Sequence, residues 1–142
     1  MVGQKRPALT GVLETCLYVA EIARSRKFYE DVFGFVVLTG DDRICAFDVA
    51  PGNVLILFRR GGTQRPIPVG GGFIPPHDGG GEQHFALAVP DDAFAHWKVY
   101  LERLDIEVES EIAWPQGGRS VYFRDPDRLV IELATPGLWA NY

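Results

Sequence analysis

Little in this chain of 142 residues is basic, sulfur-bearing or continuously apolar, and each shortage removes a class of function. With 14 Lys and Arg against 19 Asp and Glu the net charge is −5, so the clustered positive surface that nucleic acid requires is missing. Two cysteines, Cys16 and Cys45, are too few for a disulfide framework, and read as reduced thiols in a cytoplasmic protein. No apolar run approaches the roughly 20 residues needed to cross a bilayer. Residues 1–10 contain no apolar core of a secretory signal and read as a loose arm.

What the chain does have is an internal repeat. Glu14 stands five residues before Val19, and His84 stands five before Val89. Each valine is followed by a short turn and then a helical pattern. Phe47 lies nine residues before Ile56, and Phe123 nine before Glu132. Two degenerate copies of one unit are therefore expected inside a length suited to a single domain, 1–142. Of the four equivalent strand positions, Glu14 and Glu132 carry carboxylates, His84 carries an imidazole, and Ile56 carries nothing polar.

The first copy, about 12–60, reads as strand, helix and three strands. Val12, Glu14, Cys16 and Tyr18 share one face of the opening strand, while Leu13, Thr15, Leu17 and Val19 share the other. Apolar residues recur at helical spacing from Glu21 to Phe33, and Gly34 is placed to end that helix in a left-handed conformation. The second copy, about 82–136, repeats the plan. His84, Ala86 and Ala88 form one strand face, Asp91 or Asp92 offers a helix cap, and strands are expected over 106–112, 120–124 and 129–134. Between the copies, glycine and proline make up more than half of residues 61–81. Such a stretch predicts a long loop, and its Ile67, Val69, Phe73 and Ile74 suit packing over a cavity or a second subunit. Leu138, Trp139 and Tyr142 form an apolar tail expected to pack.

Three strings carry a resemblance. They are the segment from Leu17 to Tyr29 that ends in Phe33-Gly34-Phe35, the strand His84 to Val89, and Phe123-Arg124-Asp125-Pro126-Asp127 running to Ile131-Glu132-Leu133. Together they resemble the vicinal oxygen chelate superfamily, the glyoxalase, bleomycin-resistance and dioxygenase group. The resemblance implies an α+β fold of two βαβββ modules forming a curled, barrel-like mixed sheet. It also implies a homodimer, and a metal held by side chains from the first and last strands of each module.

Those slots fall on Glu14, Ile56, His84 and Glu132, leaving Glu14, His84 and Glu132 as ligands of one divalent ion: Mn, Fe, Zn, Ni or Co. Burying two carboxylates without compensating charge is very costly, and a divalent ion removes that cost. The resemblance further implies a small substrate chelated through adjacent oxygens. Glu132 is then a catalytic residue as well as a ligand, Tyr18 a hydrogen-bond donor to an oxygen held at the metal, and His77 an acid or base on a closing segment. Neither a membrane nor a nucleic acid is expected as partner. The alternative implied by the same family is a metal-free drug-binding protein of the bleomycin-resistance type. One departure bears on the turn after Asp125-Pro126-Asp127, where Arg128 replaces a glycine and is expected to sit in the left-handed region.

Overall fold

The computed structural model describes Gly3 and residues 5–142. The first copy contains β1 (Glu14–Val19), α1 (Ile22–Phe33), β2 (Val36–Gly40), β3 (Ile44–Ala50) and β4 (Asn53–Arg59). The hairpin β5 (Ile67–Val69) and β6 (Gly72–Ile74) follows it. The second copy contains β7 (His84–Ala88), α2 (Phe94–Arg103), β8 (Ser110–Ala113), β9 (Arg119–Arg124) and β10 (Val130–Ala134). Each copy builds a four-stranded mixed sheet in one order, β1-β4-β3-β2 and β7-β10-β9-β8. In each, the opening strand is parallel to the closing one, and the other neighbours are antiparallel. The α+β architecture of two βαβββ modules is the one expected.

The register places the repeat on a physical footing. Cys16 lies opposite Ile56 across β1 and β4, and Ala86 lies opposite Glu132 across β7 and β10. Glu14 and His84 each stand two residues earlier, on the same side of their strand. Side chains on the other side make one shared core. Leu17, Leu55 and Leu57 from the first sheet share one buried cluster with Phe85, Phe123 and Leu133 from the second, and with Tyr29 of α1 and Phe94 of α2. The faces that carry Glu14 and His84 are turned away from this core.

The two copies are also tied by the turn after β9. Buried Asp125 accepts hydrogen bonds from the Leu129 and Asp127 backbone amides and from the Tyr29 hydroxyl. Asp127 in turn accepts from the Ala20 amide, Arg24 and Ser25 at the start of α1. Arg128 has φ +64°, the left-handed conformation expected of it, and donates to Glu82. Gly34 closes α1 at φ +68°.

Four local expectations are revised. Asp91 caps no helix: its carboxylate pairs with Arg119 at 3.1 Å, and a single 3-10 turn over Asp91–Ala93 precedes α2. The strand expected over 106–112 shortens to Ser110–Ala113, because Ile106 and Val108 leave the ladder to pack on the core. Residues 61–81 contain regular structure, for Gly70 and Gly71 both adopt positive φ, the requirement of a tight two-residue hairpin turn. In the tail, Tyr142 donates to the Ala134 carbonyl at 2.7 Å, but Trp139 is exposed.

Arg124 bridges Glu109 and Glu82, and Arg128 also bonds Glu82. The Arg128 hydrogen bond holds the Glu82 carboxyl below its usual range, and the Arg124 hydrogen bond does the same for Glu109. Lowered folded-state values mean stability that is present above the unfolded carboxylate range and lost as pH falls through it. Asp125 opposes this, since burial pushes its carboxyl up and favours the protonated native state. The expected outcome is a melting temperature that drops below about pH 4.5, with a shallower drop in a Glu82→Gln/Glu109→Gln double variant. Identical slopes for the two proteins would refute this role for the cluster.

Candidate metal centre

His84 opens β7 and Glu132 sits in the middle of β10, and parallel pairing of these strands brings their side chains together. His84 Nε2 lies 3.2 Å from Glu132 Oε1. His84 Nδ1 lies 3.1 Å from the carbonyl oxygen of Val130, its own register partner. A carbonyl can only accept, so Nδ1 carries a proton. Nε2 therefore turns its lone pair towards a carboxylate oxygen, and two acceptors at this distance need a proton or a metal ion between them. A backbone carbonyl that fixes the Nδ1–H tautomer is the arrangement found behind metal-ligating histidines.

Glu132 is 5% exposed, and its second oxygen is also engaged. The Ser120 hydroxyl donates to Oε2 at 2.6 Å, and Trp114 Nε1 donates to the Ser120 oxygen at 2.8 Å. Burial, and then the charge of Glu132, push the neighbouring Tyr122 phenol up, so it stays protonated beside the site. One imidazole nitrogen and one carboxylate oxygen suit a divalent ion of intermediate hardness, and the pair fits the group expected here.

The first module contributes differently. Glu14 is exposed at the start of β1, and Ile56 is packed with Tyr18, Phe58 and Ala46 in a small apolar cluster. Among the described residues, no three His, Cys, Asp or Glu side chains of one chain gather around a common point. The structure thus brings His84 and Glu132 together and leaves Glu14 on the other sheet.

Tyr18 and His77 do meet. Burial pushes the Tyr18 phenol up, so the hydroxyl stays protonated, and it hydrogen-bonds with His77 Nδ1. Thr63 pins His77 from behind: its hydroxyl donates to the His77 carbonyl, and the His77 amide donates to the Thr63 carbonyl at 3.0 Å. The His77 ring centroid is 4.7 Å from that of Phe58. Gly79 crosses the Tyr18 ring so closely that a Cβ there would lie 2.5 Å from Cε2. His77 and Gly79 are therefore seated on the face of the first sheet, a short way along β1 from Glu14. Cys16 lies between on that face, its thiol pushed up by burial and then by Glu14. Arg59, Arg119 and Arg124 pair with the carboxylates of Asp42, Asp91 and Glu109.

Ser120, Trp114, Thr63 and Gln83 were not singled out by the sequence. Gln83 accepts from the Tyr18 amide at 2.9 Å through Oε1. Ser120 comes to the face and diagonal of Glu132 only through the register of β9 and β10.

A family model described as the Glyoxalase/Bleomycin resistance protein/Dioxygenase superfamily matches residues 11–133. Comparison with curated proteins found no match. Among solved structures, a lactoylglutathione lyase from Agrobacterium tumefaciens is 32% identical, with a TM-score of 0.84 over 94% of this chain and 99% of that one. A glyoxalase/dioxygenase from Nostoc punctiforme is 22% identical, with a TM-score of 0.63 over 93% and 98%. A variant of a fosfomycin resistance protein from Listeria monocytogenes, complexed with Mn(II) and 1S,2S-dihydroxypropylphosphonic acid, is 18% identical, with a TM-score of 0.63 over 89% and 90%. The last two show likeness of fold alone.

Proposed function

Because the chain belongs to the glyoxalase/bleomycin resistance protein/dioxygenase superfamily, we propose that it is a divalent-metal-dependent enzyme acting on a small substrate through two adjacent oxygens. The observation that carries this reading is the 3.2 Å approach of His84 Nε2 to Glu132 Oε1, with Nδ1 already committed to Val130. His84 and Glu132 would hold the ion, and Glu14 would join them from the partner copy of a homodimer. A bound divalent ion would supply Lewis acidity to a substrate carbonyl or alkoxide. The 32% identity with a lactoylglutathione lyase supports lyase or isomerase chemistry over oxygenation.

The remaining work belongs to the chain's own side chains. Glu132, buried and anchored at Oε2 by the Ser120 hydroxyl, would offer Oε1 to the ion. The Tyr18 hydroxyl, held by its hydrogen bond to His77, would keep its proton and serve as a hydrogen-bond donor to a substrate oxygen. Phe58 and the segment through Gly79 shield that pair from water.

A second reading, a metal-free binding protein for an aromatic compound, is favoured by Ile56. It sets an apolar side chain where the repeat has Glu132, and with Tyr18, Ala46 and Phe58 it makes an apolar wall. The readings separate on metal content of protein purified without chelator. Near-stoichiometric metal in the wild type, lost in both His84→Ala and Glu132→Ala, is expected for the enzyme. Empty wild type with no thermal shift on adding Mn²⁺, Fe²⁺, Zn²⁺ or Ni²⁺ would leave the binding protein.

A further inference from the structure

We infer that Ser120, backed by Trp114, is a positioning residue that commits Glu132 to the metal through one oxygen. The inference rests on the metal reading above and extends it to two residues outside the ligand set. Its starting point is that the polarity of the relay is forced. Indole Nε1–H can only donate, and an ionised carboxylate can only accept. Trp114 must therefore donate to the Ser120 oxygen at 2.8 Å, and the single hydroxyl proton of Ser120 must point at Glu132 Oε2, 2.6 Å away. No rotation of the hydroxyl satisfies both neighbours in any other way.

Ser120 is 0% exposed, so water cannot take its place. A short hydrogen bond to a charged acceptor is among the stronger ones, and here it is spent on Oε2 alone. Oε1 remains, turned towards His84 Nε2. The carboxylate is thus held with one oxygen anchored in the protein and the other presented to the ion. Trp114 is itself fixed by the turn that follows β8, where its amide donates to the Gly118 carbonyl at 2.7 Å and its carbonyl accepts from the Gly117 amide at 3.0 Å. Four groups in line, from that turn to the imidazole, fix one ligand before any metal arrives.

The test is titration of the metal-free full-length protein with Mn²⁺ and with Co²⁺, comparing wild type with Ser120→Ala, Trp114→Phe and Glu132→Ala. Ser120→Ala should weaken Mn²⁺ binding by about 10–100-fold. It should also change the visible Co²⁺ spectrum, since a released Oε2 is free to bind. Trp114→Phe keeps the Ser120 hydroxyl and an aromatic ring but removes the indole donor, so a loss of a few-fold is expected; it carries the test if Ser120→Ala fails to fold. A merely structural role would lower the melting temperature and leave the Mn²⁺ affinity and Co²⁺ spectrum at their wild-type values, which would overturn the inference. Unchanged Mn²⁺ binding in Glu132→Ala would instead remove the metal reading itself, and the inference with it.

Discussion

A chain carrying Glu14→Ala and a chain carrying His84→Ala, each unable to hold metal in its own homodimer, should regain about one metal ion per heterodimer when paired. The reason lies in where the three proposed ligands sit. Glu14 lies on the first sheet and His84 with Glu132 on the second, and no three such ligands gather within one chain among the described residues. If the first module of one copy closes on the second module of the other, a dimer has two sites. One site of the mixed dimer then takes both lesions, and the other takes neither.

Placing a different affinity tag on each chain isolates the mixed dimer for metal analysis. The control is a mixture of His84→Ala with Glu132→Ala, whose lesions lie in the same half-site. Every site of that dimer is damaged, and it should remain empty. Metal in the control, or its absence from the Glu14→Ala pairing, would show that the ligands are not shared between copies in this way.

Replacing Asp125 by alanine should cost about 3–5 kcal/mol of stability, because it removes an acceptor from donors that have no other partner in reach. The Tyr29 hydroxyl, on a side chain 0% exposed, donates to Asp125 at 2.9 Å, as does the buried Leu129 amide. Neither can turn to water after the substitution. The loss also frees the turn that holds Asp127 against Ala20, Arg24 and Ser25, so the two modules lose a joint as well as a hydrogen bond. Tyr29→Phe is a milder change, since Asp125 keeps both backbone donors, and a cost of about 1–2 kcal/mol is expected. Urea unfolding at neutral pH reads both values. An Asp125→Ala midpoint no lower than that of Tyr29→Phe would show that the turn is held by something other than these bonds.

Several features were legible because they depend on residues near one another in sequence. Alternation along β1 and β7 assigned Glu14 and His84 to one side of a strand, and the nine-residue spacing from Phe123 to Glu132 matched that from Phe47 to Ile56. Glycine chemistry marked the end of α1 at Gly34, and its absence at Arg128 marked a left-handed turn. Other features arise only when distant segments meet. Asp91 looked like a helix cap until Arg119, remote in sequence, supplied a stronger partner for its carboxylate. The glycine-rich stretch read as loop because composition does not reveal that His77 and Gly79 come to rest on Tyr18. Ser120 became meaningful only through the β9–β10 register that sets it beside Glu132.

The sequence by itself determined the two-module fold, the face of each strand, and the residue types at the four equivalent positions, because strand periodicity encodes sidedness within a sheet. Only the tertiary structure decided that His84 joins Glu132 while Glu14 stands apart. Periodicity is silent on how one sheet packs against another, and here the shared core of Leu17, Leu57, Phe85, Phe123 and Leu133 turns the faces that carry Glu14 and His84 outward.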